Sequence, residues 1–331
     1  MSDDVALPRV LSQITLLPPA LVQLEPQAEL IVGPVSDTDA WYAEAATYDA
    51  IILGGNTVID GPRMDRIGPR LRMVARPGIG VDKIDAAAAT ARGIMVLNTP
   101  DGPTESTAEH AIALMLNLTK GVATGDRVLR AGKGFPNYGS LPIGLEALGA
   151  TLGLVGLGRI GGRVAEIARV LGMRVVAYDP FVTPARAAAL GVELASSLGD
   201  VLTVADVVSL HCPSMPETYR LINAETLALM RPGSFLVNVA RGALVDEAAL
   251  LEALRSGHLA GAGLDVFDPE PPPADNPLFS LPNTICTTHV GSYTGAGVLR
   301  MHVQCAEQVA SALRGERPTN LVNPEVWGHQ R

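Results

Sequence analysis

Three ionisable residues, Arg241, Glu270 and His289, follow three successive predicted strands in the second half of the chain. In parallel α/β sheets the carboxyl ends of the strands lie at one edge, where ligands bind. An arginine can hold a carboxylate through two parallel hydrogen bonds, and a histidine can accept or donate a proton near neutral pH. A glutamate can orient that histidine and stabilise its protonated form. The three side chains therefore predict chemistry on a hydroxyl group that stands beside a carboxylate.

A glycine-rich stretch, GLGRIG, separates an apolar predicted strand, residues 151–155, from a predicted helix. Gly156 permits a tight turn, Gly158 lets the backbone approach a pyrophosphate, and Gly161 allows the helix to pack close to the strand. The N–H groups and the partial positive charge at the start of the helix favour phosphate binding. The stretch predicts a dinucleotide site.

An acidic residue, Asp179, ends the next predicted strand, residues 174–178. Its carboxylate can accept hydrogen bonds from ribose hydroxyls and would repel a 2′-phosphate. This predicts NAD rather than NADP as the cofactor. With a nicotinamide as hydride acceptor, His289 would take the hydroxyl proton while hydride leaves the same substrate carbon.

Predicted strands and helices alternate along most of the chain, which is typical of parallel α/β folds. Six predicted strands between residues 152 and 287 complete one doubly wound sheet, including one at 262–266. The preceding chain has its own strands at residues 50–53, 71–75 and 94–98. A helix at 295–314 fills half of the chain after the second sheet, and the remainder is too short for a third domain. We expect residues 1–102 and 291–331 to form one discontinuous domain around an NAD-binding domain at 103–290.

Glycines and one arginine follow the predicted strands of the first domain. The chain continues from residues 50–53 into Gly54 and Gly55, and from residues 71–75 into the segment that holds Arg76, Gly78 and Gly80. These residues lie at the strand ends, where a ligand of such a sheet binds. We therefore expect a candidate ligand site here, in which Arg76, Gly78 and Gly80 contact the substrate.

Composition restricts the classes of partner. The 331 residues carry a net charge of −9, which argues against nucleic acid or an anionic membrane surface as the main partner. The three cysteines have no metal-ligand spacing, and neither a signal segment nor a long apolar stretch is apparent. We expect a cytoplasmic protein without a structural zinc or a disulfide framework.

Six short segments together resemble the D-isomer-specific 2-hydroxyacid dehydrogenases, above all their phosphoglycerate dehydrogenase and hydroxypyruvate/glyoxylate reductase branches. The segments span residues 76–82, 98–100, 153–161, 238–242, 264–267 and 289–291. The resemblance implies two doubly wound domains separated by a cleft, with a Rossmann domain inserted in a discontinuous flavodoxin-like substrate domain. It also implies D handedness at the substrate C2 atom and a homodimer formed largely through the nucleotide domain.

The resemblance adds site residues to those predicted from the strand ends. It implies that N–H groups of the Gly78–Gly80 loop, which includes Ile79, hold the substrate carboxylate. It implies that Asp265 lies near the nicotinamide carboxamide and that His211 and Pro213 line the cofactor cleft. The further cofactor contacts that it implies are Arg159, Ile160, Pro180, Ala240 and Gly291.

Departures from the family pattern leave the substrate open. Phosphoglycerate dehydrogenases often carry an arginine where this chain has Gly54-Gly55-Asn56. This weakens the case for a phosphorylated substrate, although Arg76 or a residue of the 133–140 loop could replace that arginine. We predict a small D-2-hydroxy acid or its 2-oxo acid, of the glyoxylate or hydroxypyruvate type, with D-3-phosphoglycerate as the alternative. A third possibility is an NAD(H)-sensing protein similar to transcriptional co-repressors. Little chain follows Asn323, so feedback through an appended domain is not expected.

Overall fold

The computed structural model describes residues 6–55, 57–134 and 143–329. Contacts divide the chain into two compact units. Unit 1 consists of Met1–Pro103 and Tyr293–Arg331, and unit 2 consists of Thr104–Ser292. Each unit contains one parallel sheet, so the prediction of two parallel α/β domains, one inserted in the other, is confirmed.

As far as the structure describes it, unit 1 contains a five-stranded parallel sheet of spatial order β2-β1-β3-β4-β5, the flavodoxin-like order. Its central strand, β3, is wholly apolar and buried, as expected when helices cover both faces of a parallel sheet. The strands are β1 (Arg9–Ser12), β2 (Glu29–Val32), β3 (Ala50–Ile52), β4 (Met73–Arg76) and β5 (Met95–Asn98).

The C-terminal part of the chain belongs to unit 1. Helix α12 (Gly295–Leu313) packs along α1, and Asn323 fixes the segment beyond it. The Asn323 side chain accepts the N–H of Val96 at 2.8 Å and donates to the Ile94 carbonyl at 2.9 Å. The other helices of this unit are α1 (Pro18–Leu24), α2 (Asp39–Ala45), α3 (Gly61–Ile67) and α4 (Ala86–Ala91).

Unit 2 contains a seven-stranded parallel sheet of order β12-β11-β10-β9-β6-β7-β8 within the described residues. From β8 to β11 this is the doubly wound order of a Rossmann fold, with β12 added at one edge. The strands are β6 (Thr151–Val155), β7 (Arg174–Tyr178), β8 (Glu193–Leu194), β9 (Val207–Leu210), β10 (Ser234–Asn238), β11 (Leu259–Leu264) and β12 (Thr284–Cys286).

Helices cover both faces of this second sheet. The longest, α5, lies over β10 and β11 and also contacts α7. The helices are α5 (Thr104–Lys120), α6 (Val122–Arg130), α7 (Arg159–Val170), α8 (Pro184–Ala189), α9 (Leu198–Val204), α10 (Ala224–Leu229) and α11 (Glu247–Arg255).

The structure corrects two details of the second sheet. The prediction of six strands was wrong, because the two-residue strand β8 pairs with β7 and is too short to produce a sequence pattern. The strand predicted at residues 262–266 is β11, Leu259–Leu264. The start of β11 was not predicted, because Gly261 and Gly263 lie in it and glycine is uncommon inside strands.

Candidate active site

Three neighbouring strands of unit 2 carry the predicted catalytic residues to one edge of the sheet. Strands β10, β11 and β12 are adjacent and parallel, with Asn238 aligned to Leu264 and Leu264 aligned to Cys286. Because these last residues lie side by side, the segments that follow leave the sheet at the same edge. Those segments carry Arg241, Glu270 and His289.

The side chains of His289 and Glu270 are joined directly. The Nδ1 atom of His289 lies 2.5 Å from Oε1 of Glu270, and the two side chains are 42% and 27% exposed. A carboxylate only accepts, so Nδ1 carries the proton of this hydrogen bond. Nε2 of the partly exposed ring is then the nitrogen available for proton exchange.

The carboxyl of Glu270 is held in its ionised form. Burial raises the pKa of Glu270, but the hydrogen bond and charge of His289, a backbone hydrogen bond from Phe267 and the charge of Arg241 outweigh it. Its pKa therefore lies below the ordinary value for glutamate. Glu270 is therefore an ionised acceptor for the Nδ1–H group of His289.

A close backbone approach brings the Arg241 segment next to the segment that leads to Glu270. A Cβ atom on Gly242 would lie only 1.9 Å from the carbonyl carbon of Phe267, so no larger residue fits at this position. The Asn238 side chain donates to the Arg241 carbonyl at 2.8 Å, and Nη1 of Arg241 donates to the Ala240 carbonyl at 2.6 Å. These contacts fix the backbone from which the guanidinium extends.

Asp265, the first residue after β11, holds the segment that carries His289. Its side chain is buried, and Oδ1 accepts hydrogen bonds from Thr287 Oγ1 at 2.6 Å and from the Val290 N–H at 2.9 Å. Oδ2 accepts the N–H of Gly291 at 2.8 Å, and the Asp265 carbonyl accepts the N–H of His289. Burial raises the pKa of this carboxyl, but the hydrogen bonds outweigh it and leave the pKa below its ordinary value.

His289 has an unusual backbone conformation. Its φ of 56° is in the left-handed region, which costs a residue with a Cβ atom roughly 1–2 kcal/mol. Such conformations persist where surrounding contacts over-determine them, and they concentrate at functional sites. Here the hydrogen bonds to Asp265 on both sides of His289 hold the backbone.

The three glycines of the GLGRIG stretch have different surroundings in the structure. Gly156 has a φ of 96°, and a Cβ atom there would lie 2.8 Å from the Cys212 nitrogen. A Cβ atom on Gly161 would lie 2.2 Å from the Gly156 carbonyl oxygen, whereas one on Gly158 would meet nothing within 4 Å. Gly158 therefore leaves open space at the N-terminus of α7, which begins with Arg159 and Ile160. This arrangement fits a pyrophosphate group.

Asp179 follows β7 and contacts the glycine-rich turn. Its Oδ2 accepts the N–H of Leu157 at 2.8 Å, and its Oδ1 accepts the N–H of Phe181 at 2.9 Å. Pro180 and Phe181 are exposed, Phe181 to 83%. Each oxygen of a carboxylate has a second lone pair, so both can still accept a hydrogen bond from a ribose hydroxyl.

His211 follows β9 and lies against the same turn. A Cβ atom on Gly156 would come within 2.9 Å of its carbonyl oxygen, and its Nε2 lies 2.8 Å from Ser209 Oγ. Burial lowers the pKa of His211 to about 3, so the ring is neutral. Its Nδ1 atom is buried without a partner among the described residues. Pro213 is exposed two residues further on.

The predicted substrate loop of unit 1 follows β4, which ends at Arg76. The N–H of Gly78 is engaged inside the unit, where it donates to Thr99 Oγ1 at 2.7 Å, and the Ile79 carbonyl accepts from Asn98. Within the described part of the chain, the N–H groups of Ile79 and Gly80 have no protein partner. These two groups are the donors that the loop can offer to a ligand.

Two other predicted cofactor residues, Ala240 and Gly291, donate their backbone N–H groups to side chains of unit 2. Ala240 donates its N–H to Asn238 Oδ1 at 3.0 Å, and Gly291 donates to Asp265. A Cβ atom on Gly291 would lie 3.0 Å from Asp265 Oδ2. Asn56 and residues 135–140, most of the loop that could replace the missing arginine, lie outside the described residues.

Sequence reasoning missed two residues that contact Asp265 beside the His289 segment. Thr287 and His110 contact each other and Asp265, although His110 lies on α5 and is far away in the sequence. His110 precedes Thr287 by 177 residues, and no sequence pattern links the two. In the sequence Gly242 stands out only as part of the segment 238–242. The structure shows that the close approach of Phe267 requires a glycine there.

The described residues contain neither a metal-ligand cluster nor a membrane-spanning helix. No group of three or more histidine, cysteine, aspartate or glutamate residues in these ranges has an arrangement that could hold a metal ion. No helix among these residues has the length and apolar character needed to span a membrane.

The chain belongs to the D-isomer-specific 2-hydroxyacid dehydrogenase family. Residues 112–291, more than half of the chain, match the NAD-binding domain of that family, described as "D-isomer specific 2-hydroxyacid dehydrogenase, NAD binding domain". The predicted resemblance is thereby confirmed, and unit 2 is identified as a dinucleotide-binding domain.

Individual relatives agree with this assignment. The D-3-phosphoglycerate dehydrogenase of Mycobacterium tuberculosis is 44% identical over 321 residues, which cover 96% of this chain and 59% of that protein. A crystal structure of the TT0316 protein from Thermus thermophilus is 42% identical, with a TM-score of 0.85 over 95% of this chain and 99% of that one. The NADPH-dependent glyoxylate/hydroxypyruvate reductase of Sinorhizobium meliloti, solved with NADP and malonate, is 31% identical, with a TM-score of 0.85 over 98% of each chain. The chain thus spans about six-tenths of the mycobacterial relative's length.

Proposed function

We propose that this protein is an NAD-dependent oxidoreductase that interconverts a small D-2-hydroxy acid and its 2-oxo acid. The observation that carries the proposal is the 2.5 Å contact between His289 Nδ1 and Glu270 Oε1 beside the Arg241 segment. This contact provides an oriented acid–base group. Family membership supplies the reaction type.

In this proposal Arg241 binds the substrate carboxylate and His289 exchanges a proton with the C2 oxygen. Bound NAD supplies the hydride acceptor for the oxidative direction. As C2 is oxidised, Nε2 of His289 accepts the hydroxyl proton and Glu270 stabilises the resulting imidazolium. In the reductive direction the same imidazolium returns the proton to the oxygen. Glu270 stays ionised in both directions.

The cofactor pyrophosphate is proposed to bind at the N-terminus of α7. The open space at Gly158 and the first N–H groups of the helix, at Arg159 and Ile160, support this placement. Asp179 is proposed to accept hydrogen bonds from the ribose hydroxyls, which favours NAD over NADP because a 2′-phosphate would meet a negative charge. The remaining contacts proposed for the cofactor are Pro180, His211, Pro213, Ala240, Asp265 and Gly291.

Unit 1 is proposed to be the substrate domain. The N–H groups of Ile79 and Gly80, open within the described chain, suit the oxygens of a carboxylate. Gly78 shapes this loop through its hydrogen bond to Thr99 rather than by donating to the ligand. Arg76 adds a positive charge at the end of β4.

We propose an unphosphorylated substrate of the glyoxylate or hydroxypyruvate type. Many phosphoglycerate dehydrogenases have an arginine after the strand that corresponds to β3, but a Cβ atom on Gly54 would lie 2.5 Å from Ile14 Cγ2. The Gln13 amide occupies this region instead, accepting the Gly54 N–H at 3.0 Å and donating to Thr57 Oγ1 at 2.9 Å. The position of that arginine therefore carries no positive charge to pair with a phosphate dianion.

D-3-phosphoglycerate is the second candidate substrate. The observation that favours it is the identity of 44% to a D-3-phosphoglycerate dehydrogenase over nearly the whole chain. An NAD(H)-sensing protein without turnover is a third candidate and is disfavoured by the Glu270–His289 pair, which such a role does not require. The cytoplasmic location stays a prediction.

The partner is proposed to be a second copy of the chain, bound through unit 2. Helix α6 and the segment after residue 142 expose large apolar side chains, among them Val122 at 58%, Leu129 at 51% and Ile143 at 100%. A groove of about 360 Å³ adjoins them, with Leu118 and Phe235 in its wall. Exposed apolar patches of this kind mark interfaces.

Leu129→Glu should convert a dimer to a monomer in analytical ultracentrifugation, and a monomeric wild type would contradict the proposal.

A panel of 2-oxo acids tests the proposed function. NADH consumption is followed by absorbance with glyoxylate, hydroxypyruvate, phosphohydroxypyruvate and pyruvate. The comparison of hydroxypyruvate with phosphohydroxypyruvate isolates the phosphate. A higher kcat/KM for hydroxypyruvate is expected, and a preference for the phosphorylated compound would establish the second candidate. Tight NADH binding without turnover on any member would favour the sensing role.

A further inference from the structure

His110 lies on α5, a helix that carries none of the proposed catalytic residues. Its side chain is 20% exposed, and its Nε2 atom lies 3.1 Å from Thr287 Oγ1 and 3.4 Å from Asp265 Oδ1. Both contacts are in unit 2. His110 therefore contacts the segment that carries His289 from a different element of the same unit.

His110, Thr287 and Asp265 form a hydrogen-bonded cluster, and the donors present determine the direction of each hydrogen bond in it. Thr287 Oγ1 donates its only proton to Asp265 Oδ1 at 2.6 Å. The threonine oxygen can then only accept from His110, so Nε2 of His110 carries a proton. His110 is thus a donor to Thr287, and Thr287 is a donor to Asp265.

Glycines on β11 allow α5 to come close enough for these contacts. A Cβ atom on Gly263 would lie 3.1 Å from Leu114 Cβ, and one on Gly261 would lie 3.2 Å from Leu118 Cδ2. His110 lies four residues before Leu114 and so shares its helix face. The close packing of that face on β11 places His110 over the end of the strand, where Asp265 follows.

The cluster acts on the backbone of His289. Thr287 and Val290, on either side of His289, both bond to Asp265 Oδ1, and His289 itself has a left-handed backbone. Loss of the His110 contact would leave the Thr287 oxygen without this donor and Asp265 with fewer contacts. The segment would then populate other conformations, in which His289 is less well aligned.

We propose that His110 is a positioning residue, which holds the 287–291 segment through Thr287 and so aligns His289 for proton transfer. The proposal rests on the proposed function of His289. It assigns no contact between His110 and substrate or cofactor. Its effect is therefore expected in kcat and in the mobility of the segment, and not in NADH binding.

The test compares His110→Ala and His110→Gln with the wild type. Glutamine can place an N–H donor near the position of Nε2, whereas alanine cannot. His258→Ala is the matched control, since His258 is also a partly buried histidine of unit 2, and its side chain forms one hydrogen bond, to the Leu227 carbonyl. Hydrogen exchange of the 284–292 peptide is measured by mass spectrometry together with kcat, KM and the Kd of NADH.

His110→Ala should increase exchange in the 284–292 peptide about fivefold, as expected for one lost hydrogen bond. It should lower kcat roughly 10-fold or more, because misalignment of reacting groups is costly, with KM and the Kd of NADH within about twofold. His110→Gln should recover most of both effects, and His258→Ala should show neither.

Three results would overturn the proposal: unchanged exchange in His110→Ala, increased exchange with unchanged kcat, or a weakened NADH complex that accounts for the lost activity. If the wild type turns over no 2-oxo acid, the proposed function fails separately. In that case increased exchange supports the structural contact but leaves no reaction for it to serve, and the positioning proposal is overturned as well.

Discussion

The Nδ1 atom of His289 and the Oε1 atom of Glu270 lie 2.5 Å apart, although the two residues belong to segments that follow different strands. The parallel alignment of β11 and β12 brings these segments together. Burial alone would raise the pKa of Glu270, but its partners lower it, so the carboxylate remains available to the imidazole over the neutral range.

Replacement of His289 should separate chemistry from binding. His289→Ala is expected to lower kcat by roughly 10²–10⁴, as is typical for loss of a general acid–base group, while NADH binds nearly as before. Steady-state kinetics and NADH fluorescence titration measure the two effects. Unchanged turnover would remove His289 from the mechanism, and His258→Ala provides the control for loss of a histidine elsewhere in unit 2.

The glycine-rich turn offers a pair of matched substitutions. Gly158→Ala should change Tm by no more than about 2 °C, because its Cβ atom meets nothing within 4 Å. It should nonetheless weaken NADH binding at least about 10-fold, since the added methyl group occupies the space proposed for the pyrophosphate.

Gly161→Ala should show the reverse pattern, with a large loss of stability and a small effect on NADH binding. Its Cβ atom would lie 2.2 Å from the Gly156 carbonyl oxygen, so it should destabilise the fold by about 1–3 kcal/mol. Thermal unfolding and NADH titration of both variants test the assignment. Equal loss of stability in the two variants would show that Gly158 is a structural glycine.

Asp179 should decide between the two cofactors. Asp179→Ala is expected to shift the ratio of kcat/KM for NADH and NADPH at least about 10-fold toward NADPH, because it removes the charge that opposes a 2′-phosphate. The variant also loses the hydrogen bond to the Leu157 N–H, so some loss with both cofactors is expected. A wild type that already prefers NADPH would refute the role of Asp179.

Partly buried His211, whose Nδ1 atom is shielded from solvent, should make stability depend on pH. Its folded pKa of about 3 lies below the value of about 6.5 expected in the unfolded chain. Between these values the unfolded chain binds a proton that the folded chain does not, so the free energy of unfolding falls as the pH decreases from about 6.5 toward about 3. Above about 6.5 the contribution is constant.

The expected slope from this residue is at most about 1.4 kcal/mol per pH unit. Urea unfolding at pH 7, 6 and 5 should show a shallower decrease in His211→Asn than in the wild type. Parallel curves for the two proteins would show that His211 becomes protonated in the folded state.

The sequence predicted those parts of the fold whose residue pattern lies within one continuous stretch of the chain. The strand at Thr151–Val155, its glycine turn and the carboxylate of Asp179 form one continuous unit, so their order and bounds were predictable. The start of β11 was not, because its glycines are explained only by the packing of α5 against them.

The candidate site likewise has residues that the sequence identifies and contacts that depend on tertiary packing. Arg241, Glu270 and His289 were identifiable because each follows a predicted strand, and parallel strands end at one edge. The contact of His110 with Thr287 could not be predicted, since it depends on the distance between a helix and a sheet. The occupied N–H of Gly78 was likewise hidden, because its acceptor, Thr99, follows another strand.

The most direct test of the central claim is the product of a single reaction. The protein is incubated with NADH and hydroxypyruvate, and glycerate is quantified by chiral chromatography alongside NADH loss. The proposal predicts one D-glycerate for each NADH consumed, and strongly reduced formation with His289→Ala. Formation of the L isomer, or NADH binding with no glycerate formed, would contradict it.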